Sequence, residues 1–348
     1  MKSKLPVRGA ILKRRTYEAP AEGREGKVRL DFNENTAGCS PEVTRALKKL
    51  SAKQLAMYPE YEARTKTLAK YFGVRTEELL LTNGGDDALR VFFDTFVDAG
   101  TRVLICDPTF PMYRYYGEIS GARMEALGYG SNMEFPVAEA ITALRKKPRV
   151  LFIANPNNPT GTLLGYSDLQ RIVRAATDTA VVMDEAYAEF SGVTVVPWIR
   201  KYPHLFVTRT FSKAAGLAGL RLGAVMAAKN SLAMLRRAMP PFPVNAAALV
   251  AAEAAAGDMR AVEIYVRNVT RVREWLREEL RRMGAVSYPS AGNFVLVDFG
   301  GRGPQIFKRL AMKGILVRER KELGAGFARV TIGTEREMKQ FIREVKKS

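Results

Sequence analysis

Four short polar segments, each following a β-rich run, carry the side chains best suited to chemistry in this chain. In NGGDDA (83–88), paired glycines let the backbone approach a ligand closely, and the free N–H groups of a first helical turn attract an anion. A plain tight turn fits the same residues. ANPNNPTG (154–161) has turn-forming composition. MDEAYAEF (183–190) sets Asp184 at a strand end, with Tyr187 three residues on. A carboxylate there faces the ligand crevice of a parallel sheet or caps a helix. TRTFSKAAGLAGLRLG (208–223) places Lys213 among hydroxyls and small residues. Such a lysine is either an ordinary surface amine or a desolvated one suited to imine formation. Arg221, after an apolar turn, is able to pair bidentately with a phosphate or carboxylate.

The elements that must position these segments show as an alternation. LLLT (79–82), RVLIC (102–106), VLFIA (150–154), AVVMD (180–184), LFVTR (205–209) and GAVMAA (223–228) are β-rich. Amphipathic stretches lie between them, such as the one placing Leu89, Phe92, Phe93, Phe96 and Val97 on one helical face. Strand–helix alternation predicts right-handed crossovers and a mainly parallel, buried sheet, with ligands at the carboxyl ends of its strands. Prolines 240, 241 and 243 mark a boundary, after which a long helix capped by Asp258 and stopped at Gly284 leads into a small α+β unit. The expected division is an arm (1–29), a large domain (30–245) and a small C-terminal domain (246–348).

Composition narrows the chemistry. With 348 residues, 47% hydrophobic and 26% charged, the chain has an ordinary globular balance. Its one histidine, His204, excludes Ser-His-Asp triads and zinc hydrolases, and reads as a surface or packing residue. Cys39 and Cys106 are too few for a disulfide framework or thiolate metal site. No apolar run is long enough to span a membrane, so a cytoplasmic protein is expected. The net charge of +19 favours anionic partners. Its densest cluster (267–284) interleaves Glu274, Glu278 and Glu279, as a solvated helix face does rather than a nucleic-acid stripe.

Taken together, the order anion loop, Asn-Pro turn, Asp-x-x-Tyr, then Ser-Lys with an arginine eight residues on resembles the fold-type I aminotransferases that use pyridoxal phosphate. The resemblance runs from LDFNEN (30–35) to RVTIGT (329–334). Within that superfamily, LDFNENTAGCSP, YPEYE, PTFPMY and the segments above are most similar to the histidinol-phosphate aminotransferase family. The resemblance implies an α/β fold: a large domain with a mainly parallel seven-stranded sheet between helices, plus a smaller α+β domain. It also implies roles. Lys213 would bond the cofactor aldehyde, Asp184 would keep the pyridine nitrogen protonated, and Asn158 and Tyr187 would hydrogen-bond the ring oxygen. Phe110 would stack on the ring, and the phosphate would sit on the amides of Gly85 and Asp86 with Ser212 and Arg221 around it. Tyr58 would reach that phosphate from the neighbouring subunit of a homodimer. Arg329 and Arg318 would take substrate anions, with Tyr17 and Asn33 helping to close the site. Phe110 stands where tyrosine is common, and Thr16-Tyr17 where many relatives have Pro-Tyr.

Histidinol phosphate carries a phosphate and no carboxylate, whereas 2-oxoglutarate carries two carboxylates, so one site must accept both. Three rivals remain at this level. One is an aromatic or broad-specificity aminotransferase, and another is a decarboxylase of a phosphorylated amino acid. The third is a non-enzymatic anion-binding regulator that kept the fold.

Overall fold

Apolar runs of four to six residues set the centre of the molecule, because strands buried on both faces need no polar alternation. The computed structural model describes residues 5–12, 14 and 22–348. Its twelve strands are β1 (Val28–Leu30), β2 (Leu79–Thr82), β3 (Arg102–Asp107), β4 (Arg123–Gly128), β5 (Val150–Ala154) and β6 (Ala180–Asp184), then β7 (Leu205–Thr210), β8 (Gly223–Ala227), β9 (Val286–Ser287), β10 (Phe294–Asp298), β11 (Ile315–Glu319) and β12 (Phe327–Thr331). Seven form one sheet in the order β2-β8-β7-β6-β5-β3-β4, parallel except for β8.

Successive side chains alternate between two cores. Leu151, Ile153, Val181 and Met183 face one apolar layer with helix Tyr166–Ala175, while Val150, Phe152 and Val182 face another with helix Gly84–Phe96. In the second layer Phe92 meets Phe152 and Phe206 edge to face. The expected mainly parallel sheet is present. The strand that sequence patterning misses is β4, an edge strand reading RMEALG with no fully buried residue.

The second sheet, β1-β11-β12-β10-β9, is antiparallel except for β1 beside β11. Helices Met259–Arg282, Gly303–Met312 and Glu335–Lys346 share its core. Asp258 caps the longest helix and Gly284, at φ +72°, follows its end. Its exposed face carries ion pairs such as Arg281–Glu278 and Arg282–Glu279, as a solvated face should. Packing moves two expected boundaries. Helix Ala246–Gly257 puts Ala248, Leu249 and Ala252 into the large sheet's core, so the change of unit falls near Asp258 rather than after residue 245. Val28–Leu30 pairs with β11 and therefore belongs to the small sheet.

A buried cluster of one arginine and two carboxyl groups ties the carboxyl ends of β6 and β7. Arg209 lies 3.1 Å from Glu185 and 3.2 Å from Glu189. Glu185 also accepts from Thr194 Oγ1 at 2.7 Å and from the Val195 amide at 2.6 Å. Burial outweighs these contacts and pushes the Glu185 carboxyl from 4.5 up to about 7. The folded protein therefore holds a proton there that the unfolded chain has released, and stability from this group is lost as pH rises from about 4.5 to about 7. Glu185→Gln lacks that proton. Urea titrations should show its stability relative to wild type rising across this window; a difference independent of pH would contradict the assignment.

Candidate active site

The register of the large sheet gathers the chemistry at one edge. Ala154 pairs with Asp184, Asp184 with Thr208, and Thr210 with Gly223, which also pairs with Thr82. Because β8 runs backwards, its start joins the carboxyl ends of its neighbours. The loops after β2, β5, β6 and β7 thus surround a cavity of about 420 Å³.

At one end are Gly85, Asp86, Ser212 and Arg221, and Arg221 lies 3.1 Å from Asp86. A Cβ on Gly223 would fall 2.6 Å from the Gly84 carbonyl carbon, so the turn and β8 meet at backbone distance. A Cβ on Gly84 would fall 2.6 Å from Arg221 Nη2, so glycine keeps the guanidinium against the helix start. Arg221 itself sits at φ +55°, an uncommon conformation for a side-chain-bearing residue that favours functional sites. Amides at a helix start beside a guanidinium make an anion cradle.

In the middle, Lys213 Nζ donates to the Phe32 carbonyl at 2.9 Å. Burial, reinforced by Arg329 and Arg221, lowers its pKa to about 8, despite opposing pulls from Glu34 and Asp86. Asp184 accepts from Tyr113 Oη at 2.7 Å and from the Ala186 amide at 3.2 Å. Burial raises its pKa, while bonds from Tyr113, Thr208 and Ala186 favour the charged form. Tyr187 Oη is held by the amides of Asn33 at 2.9 Å and Asn158 at 3.4 Å. Phe110 precedes helix Pro111–Ser120 and lines the cavity.

The far end comes from the small sheet. Arg329 is buried and donates to Asn158 Oδ1 at 2.5 Å and to the Asp31 carbonyl. Burial lowers its pKa to about 10, with Arg320 and Arg318 adding to the shift. Arg318 also lines the cavity, and its side chain makes no hydrogen bond or ion pair among the described residues.

Of the residues singled out from sequence, eleven line this cavity: Gly85, Asp86, Phe110, Asn158, Asp184, Tyr187, Ser212, Lys213, Arg221, Arg318 and Arg329. Asn33 does not. It is buried behind Tyr187 and bonded to Thr331 and Asn293, so it orients Tyr187 rather than lining the site. Tyr58 is exposed and stacks on Phe242 with ring centroids 4.3 Å apart, away from the cavity of its own chain. Tyr17 lies outside the described residues. Sequence reasoning missed Tyr113, Thr208, Glu34 and Arg320. Tyr113, three residues after Phe110 on one helix face, was the most findable of them.

The cavity fits pyridoxal phosphate: an anion cradle at one end, an amine in the middle, and a buried carboxylate for a ring nitrogen. Fold and site together define a fold-type I, pyridoxal-phosphate-dependent aminotransferase. The chain belongs to the aminotransferase class I and II family, whose sequence model matches residues 25–345. It is 35% identical over 332 residues to histidinol-phosphate aminotransferase of Symbiobacterium thermophilum, covering 93% of this chain and 91% of that one. It is 33% identical over 323 residues to the protein of that name from Geobacillus sp. (strain WCH70), covering 90% and 88%. Its fold matches histidinol-phosphate aminotransferase from Sinorhizobium meliloti, solved in complex with pyridoxal 5'-phosphate, with a TM-score of 0.91 at 23% identity over 99% of both chains.

Tyr113→Phe removes the hydroxyl that stabilises the charged Asp184. A hydrogen bond to a charged group contributes roughly 1.5–3 kcal/mol, so kcat should fall about tenfold or more with KM within about twofold. An unchanged kcat in steady-state assays would show that Asp184 does not depend on this bond.

Proposed function

We propose that this enzyme transfers the amino group of histidinol phosphate to 2-oxoglutarate, acting in the cytoplasm as a homodimer. The observation that carries the reading is Arg318, unpartnered among the described residues, beside buried Arg329 in the cavity that holds Lys213. Two cations facing one amine suit a phosphate-bearing amine and a dicarboxylic oxo acid in turn. The histidinol-phosphate aminotransferases that cover about nine-tenths of the chain support the same donor.

Lys213 is the residue that bonds the cofactor at rest, since a lysine with its pKa lowered to about 8 has an accessible neutral amine. When bound, pyridoxal phosphate supplies an aldehyde for the amine and a protonated ring that accepts the electron pair left when the α-carbon loses its proton. Asp184 would hold the proton on the ring nitrogen. Tyr187 and Asn158 would bond the ring oxygen, Phe110 would cover a ring face, and Gly85, Asp86, Ser212 and Arg221 would hold the phosphate. With its pKa lowered to about 8, Lys213 Nζ would serve as the base that takes and returns the α-proton of a bound amine, a service typically worth 10²–10⁴-fold. Arg329 and Arg318 fix the substrate anion and thereby the α-carbon. Tyr58, exposed and stacked on Phe242, would be free to reach the phosphate site of a partner subunit.

Holoenzyme mixed with histidinol phosphate and no oxo acid should lose the visible band of its bound cofactor, and added 2-oxoglutarate should restore it. Loss of the band with phenylalanine or tyrosine but not with histidinol phosphate would make it an aromatic aminotransferase. Carbon dioxide release from a phosphorylated amino acid would make it a decarboxylase.

A further inference from the structure

The hydrogen bonds behind Tyr187 all run in one direction. Burial raises the pKa of this phenol, with Asp184 adding to the shift and Arg329, Asn33 and Asn158 opposing it. Tyr187 therefore keeps its single proton and must place it in one direction. On one side stands Asn158. Arginine only donates, so the Asn158 atom 2.5 Å from Arg329 is its Oδ1, and the atom left to face Tyr187 Oη at 3.4 Å is its Nδ2.

Asn33, on the other side, is fixed one step further back. Its backbone amide donates to Thr331 Oγ1 at 3.0 Å, and Thr331 is fully buried. The Thr331 hydroxyl has one other partner among the described residues, Asn33 Oδ1 at 3.1 Å. Were the Asn33 side chain reversed, the threonine oxygen would accept twice and its proton would be buried without an acceptor, which is costly. Thr331 thus holds Oδ1 on its own side and turns Nδ2 towards Tyr187 Oη, 2.9 Å away. Asn293, also fully buried, donates to the Asn33 carbonyl at 3.1 Å and braces this left-handed residue. Two amides then donate to Tyr187 Oη, and the cavity that Tyr187 lines is the direction left for its own proton.

We infer that Thr331 is a positioning residue: through Asn33 it makes Tyr187 a hydrogen-bond donor to the ring oxygen of the cofactor. This rests on the reading that Tyr187 meets that oxygen. A donor facing an oxygen favours its charged form. Losing the donor makes the oxygen hold a proton more tightly, which raises the pH at which the visible band of the holoenzyme titrates. Without the Thr331 hydroxyl nothing opposes reversal of Asn33, and Tyr187 then turns its proton to Asn33 Oδ1 instead of the cavity.

The test is a pH titration of that band in reconstituted holoenzymes. Thr331→Val, nearly isosteric, should raise the midpoint by about one unit, the size of one hydrogen bond to a charged group. Thr331→Ala, smaller at the same place, should give the same shift, and Thr331→Ser, which keeps the hydroxyl, should restore the wild-type midpoint. Tyr187→Phe should raise the midpoint at least as far, and adding Thr331→Val to it should produce no further shift, because the threonine acts only through the phenol. An unmoved midpoint in Thr331→Val and Thr331→Ala, or a shift that adds in full to that of Tyr187→Phe, overturns the inference while leaving Tyr187 on the ring oxygen. An unmoved midpoint in Tyr187→Phe removes Tyr187 from that oxygen, and the inference falls with the reading beneath it.

Discussion

Two cations withdrawn from water and, among the described residues, hydrogen-bonded only to neutral oxygen atoms are the constraint on which the rest of this structure depends. Lys213 donates to a backbone carbonyl, and Arg329 to a side-chain amide oxygen and another carbonyl. Withdrawing such charges from water without a carboxylate partner is costly, and the cost appears here as pKa values pulled down to about 8 and about 10. Anions arriving in the cavity offset it. An anion bound beside them would complete an electrostatic arrangement that these two residues leave unbalanced.

Everything around the cavity holds that imbalance in place. The parallel strands deliver Asp184 and Lys213 to one edge, and the reversed β8 delivers Arg221 to the same edge. Arg209, shared by Glu185 and Glu189, fastens the ends of β6 and β7 just behind Asp184 and Lys213, which line the cavity. The small sheet supplies the arginines. The segment Asp31–Glu34 crosses between units, giving carbonyls to Arg329 and Lys213 while Arg24 grips its carboxylates at 2.6 Å and 2.8 Å. The site is thus a joint product of both cores.

The sheet was legible because its central strands are unbroken apolar runs, and the cofactor end because Gly, Asp, Lys and Arg stand at strand ends where few structural roles compete. What stayed hidden follows from geometry. β4 is an edge strand whose residues are half exposed, and it carries no pattern. Helix Ala246–Gly257 follows a proline cluster that marks a turn, yet its small side chains let it settle against helices Pro41–Lys48 and Glu62–Phe72 of the large unit. Asn33, which the resemblance places among the residues that help close the site, sits at a left-handed φ of +55° and bonds Tyr187. Tyr113 acts on Asp184 from 71 residues away, so its spacing to Phe110 hints at a place near the site but does not reveal its partner.

The central claim is that Lys213 is the amine that bonds the cofactor. Borohydride reduction of the holoenzyme followed by peptide mass spectrometry tests it directly. The account predicts one pyridoxyl adduct per chain, on the peptide containing Lys213, and none after Lys213→Ala. An adduct on another lysine, or a reduced holoenzyme with no adduct, would contradict it.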